Sequence, residues 1–430
     1  MNTLPADRAL PRRADRPAAE AFGYDVLGPI LAEFSLRLWL FQRLMPKRDE
    51  ACLLFCARGG LRLQALYERL LHRTGLPLPL PTDNLMISRL VAARTVANAP
   101  TEALLDELGR EFKGRAMSEV AVSLTQRDDL DLSAAWKDTF EPDAFRRLMT
   151  ETDTVRDAIA TQNARFFDHL AGRTKGRTTV VLCDTGLYGS TIRLLASGRT
   201  DFDWHCLQFA RSNYKGYSAP HFARTVGLSI ERDRYAPWDV RSSALRFWHL
   251  IEAVLEPALP SVRTFASTRW GPISNLEIAG WQDRIATDHH GVFSGALAYV
   301  DDLTPGRLPD INDEALRAWR ALKRKVTRPR LEDLAVLNFE DRSSDFGRAN
   351  HVALLAGNGG TLATIQASLW REGALVQQHP SARLLTLPLV ELAYSLRAVR
   401  GLVKSRHGRH GSKPAIDWPE VTVRTASPQP

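Results

Sequence analysis

The sequence predicts an α/β protein built on a mostly parallel, Rossmann-like sheet, with a large helical insertion and a helical C-terminal part. Three observations predict it. Apolar runs at 51–56, 180–183 and 204–210 have the length and composition of buried strands. The first two run directly into a glycine-rich turn and then a helical pattern, the strand–loop–helix succession of a parallel sheet. Between those two units, residues 101–170 read as helix broken only by short polar stretches, too much helix for a simple crossover and hence an insertion.

Composition bounds the rest. The chain has 430 residues, 44% apolar and 25% charged, which is globular and enough for a large core. No apolar run approaches the roughly 18 residues that span a bilayer. Met1 to Glu20 lacks the apolar centre of a signal peptide and reads as the flexible arm of a cytoplasmic protein. Cys52, Cys56, Cys183 and Cys206 all sit in apolar runs, as buried reduced thiols do, and no second ligand pair of zinc spacing accompanies Cys52 and Cys56. The formal charge of +8 favours an anionic partner. No zinc-finger, RNP or helix-turn-helix signature occurs, so no nucleic acid is expected.

Taken in order, the chain divides into an arm (1–20), an α/β core (21–260) with its insertion at about 100–172, a mixed region packed on the core (261–403), and a basic, disordered tail (404–430). Residues 22–45 carry an apolar-periodic helix, with Pro29 suited to its first turn. The strand at 51–56 leads through Arg58-Gly59-Gly60 into a helix bearing Leu63, Leu66 and Leu70. Asn84 to Val91 reads as a strand that carries Ser88 and Arg89, with Arg94 just beyond. Trp204 to Ala210 reads as a strand that delivers Arg211 and Lys215 at its carboxyl end, and Phe222 to Ile230 as another. Phe247 to Leu255 is a helix bearing Glu252, and Ile311 to Arg328 a basic amphipathic one. Asp345-Phe346-Gly347 is not a kinase signature, because no matching glycine-rich or catalytic loop accompanies it. Leu384 to Val403 is helical with an apolar face and continues into a basic run, Lys404 to Lys413. That end suits either an anionic lipid surface or a packed helix with a solvated tail.

The chemistry concentrates in two turns. Asp184-Thr185-Gly186-Leu187-Tyr188-Gly189-Ser190-Thr191 closes a buried strand and opens a helix, so its N–H groups, hydroxyls and the helix dipole favour an anion, expected to be the phosphate of a phosphorylated sugar. Arg58 supplies a forked cation beside two glycines that let the backbone approach a ligand, though an ordinary βα turn with a surface Arg has the same residues. Glu252 reads as a general base or a helix-surface carboxylate, and Arg89 and Arg211 as anion contacts or ordinary salt bridges.

Those two turns resemble loops of the purine-type phosphoribosyltransferases: Ala57 to Leu61 their pyrophosphate loop, and Asp184 to Thr191 their PRPP (phosphoribosyl pyrophosphate) loop. Cys183 stands where that family has a first acid, and Leu187 and Tyr188 where it has small or hydroxyl residues. A wider resemblance, over about 22–400, rests on Gly23-Tyr24, Leu27-Gly28-Pro29, Arg58-Gly59-Gly60, Ser88-Arg89, Asp184-Thr185-Gly186, Gly189-Ser190, Ile251-Glu252 and Trp370-Arg371-Glu372-Gly373. It is to the phosphoribosyltransferase-like region that follows a HAD-type phosphatase domain in bacterial surface-polysaccharide proteins, which reads Arg-Asp-Gly where this chain has Arg58-Gly59-Gly60. The resemblance implies a type I phosphoribosyltransferase fold and a glycosyltransferase that moves ribofuranosyl 5-phosphate from PRPP to a hydroxyl of a lipid-linked surface glycan. Magnesium would be the cofactor, and a separate HAD-type phosphatase would remove the 5-phosphate. It implies PRPP contacts from Arg58, Gly59, Gly60, Asp184, Thr185, Gly186, Tyr188, Gly189, Ser190, Thr191, Arg89 and Arg211, catalysis by Asp184, Arg58 and Glu252, and an indirect metal role for Asp184. Two other readings stay open: a non-catalytic phosphate-binding scaffold, which the missing acid at Cys183 would suit, and a nucleotide-salvage phosphoribosyltransferase.

Overall fold

In a computed structural model of the chain, residues 16–213, 224–286, 291–337, 342–344, 350–352, 355, 364–365 and 368–407 are described. Lys215, Asp345-Phe346-Gly347 and the basic tail from 408 onward lie outside them.

Five strands form one all-parallel sheet: β1 (Ala51–Cys56), β2 (Thr82–Leu85), β3 (Thr179–Leu187), β4 (Asp203–Arg211) and β5 (Thr225–Glu231), in the order β2-β1-β3-β4-β5. The chain therefore steps outward from β1 to β2, then returns to the other side of β1 and continues through β3, β4 and β5. The order reverses between β1 and β3, which pair with Leu53 opposite Val181 and Phe55 opposite Cys183. In open parallel sheets that reversal leaves a crevice beyond the carboxyl ends of the two strands.

Alternation along the strands feeds two cores, one on each face. Leu53, Phe55, Val181, Cys183, Leu207 and Phe209 join the first, under the helices Gly28–Leu44, Gly59–Thr74 and Ile311–Thr327. Cys52, Leu54, Cys56, Val180, Leu182 and Cys206 join the second, under Arg89–Arg94, Glu102–Glu111, Met117–Thr125 and Asp153–Thr174. All four cysteines are buried and free, as their apolar settings predicted. The insertion is helical as expected, and Pro29 does sit in a first helical turn. Gly23 and Gly295 mark a close crossing of the first helices with Val292–Asp301: a Cβ on Gly23 would meet the Val292 carbonyl oxygen, and one on Gly295 the Glu20 carbonyl oxygen, each within 2.0 Å.

Three boundaries differ from expectation. The strand read over 84–91 ends at Leu85, and Ser88 begins a helix instead. Its hydroxyl accepts from the Val91 N–H (3.2 Å) and donates to the Val262 carbonyl (2.6 Å), so it caps a helix whose Arg89-Leu90-Val91-Ala92-Ala93-Arg94 run holds mostly good helix formers. β3 continues past Asp184 to Leu187, because Gly186 and Leu187 keep pairing with Ala210 and Arg211. The arm is shorter than 1–20: Arg16 stacks 4.0 Å from the Tyr24 ring centre and a helix starts at Ala18. Arg94 is 1% exposed and holds the insertion through the Leu124 carbonyl (2.6 Å). Burial lowers its pKa to about 10, so it stays charged.

His169 ties the insertion's last helix to the sheet. Its Nε2 accepts from the Met86 N–H at the end of β2 (3.3 Å), and its ring lies against Phe265. Burial, helped by Arg173, lowers its pKa to about 4. The neutral ring is the folded form, so its stabilisation is complete above pH about 6.5 and is lost as pH falls through about 4. The effect is on the order of 2–3 kcal/mol. We expect urea midpoints of the wild type to fall more between pH 7 and 4 than those of His169→Gln; parallel profiles would refute the assignment.

Candidate functional site

Both turns singled out in the sequence leave the sheet at the β1/β3 reversal. They touch directly: a Cβ on Gly59 would lie 2.4 Å from the Thr185 methyl carbon, and one on Gly60 would lie 3.1 Å from the Cys183 carbonyl oxygen. Arg58, Gly59, Gly60, Asp184 and Thr185 thus share one crevice. The Ala57–Arg58 and Gly186–Leu187 peptide bonds are both cis. Gly186 holds φ at +124° with its α-carbon against the Ala210 carbonyl, 2.0 Å from where a Cβ would sit. Only glycine fits there. The longer β3 leaves a turn of only Tyr188 and Gly189 before the helix Ser190–Gly198, whose N-terminus no side chain caps.

Asp184 faces the second core's side of the sheet, beside the thiols of Cys56 and Cys206, which feel its charge. Its Oδ1 accepts from the Thr185 N–H at 2.7 Å. Burial raises its pKa to about 6, with repulsion from Glu256 adding to the rise; the Thr185 hydrogen bonds and Arg89 oppose it. Glu256 just follows the helix Trp248–Leu255, its N–H bonded to the Glu252 carbonyl, and it pairs with Arg58 at 3.0 Å. The other Arg58 nitrogen donates to the Leu259 carbonyl at 3.0 Å. A second carboxylate thus stands near Asp184, contributed by a separate segment and not by the strand. Cys183 could not have supplied it. Alternation turns position 183 into the first core beside Tyr67, where it is fully buried and a carboxylate would be expensive.

Arg89, at the start of the helix after β2, pairs with Glu111 at 2.8 Å and lies 3.7 Å from Glu107. Ser190 donates its hydroxyl to the same Glu107 oxygen at 3.0 Å. Arg89 and Ser190, distant in sequence, are joined by a carboxylate from the helical insertion, a region the sequence reading credited with no site residues. Glu107, Glu111 and Glu256 are the residues it missed. The four-residue spacing of Glu107 and Glu111, which puts them on one helix face, was the available signal for the first two; nothing local marked Glu256.

The remaining candidates separate. Glu252 is buried at 8% exposure, not the surface carboxylate of the blander reading, and the contact from its helix to Arg58 runs through Glu256 one turn on. Arg211 lies at the end of β4 opposite Leu187, but its guanidinium pairs with Glu231 of β5, along the sheet from the crevice. Among the described residues no group of three or more His, Cys, Asp or Glu is arranged to hold a metal alone.

No family model matches the chain, and no curated protein matches it. The geometry is thus the ground for any functional reading.

Two outcomes test the site as a structure. Gly186→Ala should cost about 2 kcal/mol or more, read as a lowered melting temperature, because the new methyl meets backbone at strained φ. Asp184 is harder to ionise folded than unfolded, so its charge destabilises the fold as pH rises through about 6. Asp184→Asn should raise the melting temperature at pH 8, and the gap to wild type should close as pH falls toward 4; a gap that does not change with pH would contradict this.

Proposed function

We propose that the protein is a phosphoribosyltransferase-type glycosyltransferase, transferring ribofuranosyl 5-phosphate from PRPP to a glycan hydroxyl with release of pyrophosphate. One observation carries the reading: the Arg58-Gly59-Gly60 turn and the Asp184–Thr191 segment, 126 positions apart at Arg58 and Asp184, meet at the one reversal of a parallel sheet. The 5-phosphate would take the uncapped first turn of the Ser190–Gly198 helix, with the Ser190 and Thr191 hydroxyls beside it. The pyrophosphate would lie against the Arg58-Gly59-Gly60 turn, at the N-terminus of the Gly59–Thr74 helix, where the dipole favours an anion.

Arg58 and Arg89 are held by Glu256 and by Glu107 with Glu111. A polyanion entering the crevice would compete for both guanidiniums, and Arg58 would then meet the leaving pyrophosphate as a preorganised cation. Magnesium fits the donor set: it takes one or two carboxylates and fills its remaining positions with water and phosphate oxygens, and Glu256 and Asp184 are two carboxylates close enough to repel. Bound there, the ion would neutralise charge growing on pyrophosphate. The ribose C1–oxygen bond to pyrophosphate breaks, the acceptor oxygen bonds to C1, and the acceptor's proton goes to a carboxylate. With the ion held by Glu256, water and phosphate oxygens, Asp184 would take that proton; its pKa near 6 in the ion-free site keeps it ionised at neutral pH.

A second reading has its own observation. With both arginines already neutralised by glutamates, and with Cys183 in place of an acid, a protein that binds phosphate without turnover would look the same.

Pyrophosphate release from PRPP decides between them. Release is expected with glycan acceptors and not with free purine or pyrimidine bases. Asp184→Asn and Arg58→Ala should each lower it by about 100-fold or more, and Glu256→Gln by about tenfold. PRPP binding without release on any acceptor would establish the scaffold reading, and release with free bases a salvage enzyme.

A further inference from the structure

The C-terminal helix, Thr386–His407, is mounted with its polar side inward. Leu387 is buried, and Glu391 accepts from the Tyr235 hydroxyl and from Arg246 (3.2 Å), with Lys323 at 3.6 Å. Arg246 also pairs with Glu372 and stacks 3.7 Å from the Tyr394 ring centre. The outward side is the apolar one. Leu385, Leu389, Leu392, Leu396 and Val399 are 49–73% exposed. Their spacing of four, three, four and three residues places them on one stripe. An amphipathic helix on a soluble core normally shows the reverse orientation, and a continuous exposed stripe of this kind marks a contact surface.

Charge selects the partner. Beyond Glu391 the next acidic residue is Asp417, and Arg397, Arg400, Lys404, Arg406, Arg409 and Lys413 fall between them. A second copy of the helix would bring like charges together along the stripe's C-terminal half. An anionic bilayer would meet every one of them favourably, each Lys or Arg near such a surface strengthening partitioning about fivefold. Among the described residues no helix is long and apolar enough to cross a membrane, so the stripe suits a helix lying in the interface.

We propose that this helix docks the protein on an anionic lipid surface, its leucines in the headgroup–acyl boundary and its basic residues among lipid phosphates. The Glu391–Arg246–Glu372 bridge fixes the docked helix to the core.

The test is sedimentation of the full chain with phosphatidylcholine vesicles, with and without phosphatidylglycerol. Binding is expected only with the anionic lipid and should weaken in high salt. Leu389→Ser/Leu392→Ser/Leu396→Ser should lower it about tenfold or more, and Arg397→Gln/Arg400→Gln by a similar factor. The arginine variant, at two exposed positions of which Arg397 lies 5.9 Å from the Tyr394 ring centre of its own helix, keeps the test decisive if circular dichroism shows the leucine variant unfolded. Equal binding to both vesicle types, no binding, or binding that both variants leave intact would overturn the proposal. So would a wild-type dimer by light scattering that the leucine variant converts to monomer, which would assign the stripe to a second copy.

Discussion

The parallel pairing of β1 with β3 is the contact on which the rest depends. It puts two chain segments side by side and sends both into helices from the same end of the sheet. Because Gly59 has no side chain, its loop can close onto Thr185. Because Gly186 has none either, β3 can keep its ladder with β4 until Leu187, and the turn into the next helix becomes tight. A side chain at 59 would push the two loops apart, and with them the cations and carboxylates they carry; one at 186 would force β3 away from β4.

Around that contact the charges are mutually balanced rather than free. Arg58 has Glu256, Arg89 has Glu111 and Glu107, and Ser190 shares Glu107. Five segments contribute: the two loops, the short helix that Arg89 opens, the insertion that carries Glu107 and Glu111, and Glu256 just after the helix Trp248–Leu255. The arrangement keeps guanidiniums oriented in a partly dry crevice without leaving them uncompensated. It also leaves Asp184 as the acid whose proton is most sensitive to what enters, since burial and Glu256 pull its pKa one way and Arg89 the other.

Several pieces that carry the wider resemblance have architectural roles. Trp370 donates to the Val326 carbonyl at 3.0 Å, Glu372 pairs with Arg246, and Gly373 lies against the Trp370 ring, so Trp370-Arg371-Glu372-Gly373 fastens the C-terminal part to the core. Gly23 and Gly28 permit close helix crossings on Val292 and Tyr299. These positions have the small or buried residues that close packing demands, and in sequence such residues look the same as those a ligand demands.

By itself the sequence determined the parallel α/β class, the strand–loop–helix units at Arg58 and Asp184, the insertion's helicity and the burial of all four cysteines. Those follow from local periodicity and glycine placement, which short windows record. Tertiary structure alone decided that Cys183 faces the core, that Glu256 pairs with Arg58, that Glu107 joins Arg89 to Ser190, and that Arg211 turns to Glu231. Each of these is a pairing between residues 18 to 198 positions apart, or depends on which face of a strand a residue occupies once its neighbours are in register. Periodicity carries no record of such partners; the order of strands in the sheet creates them.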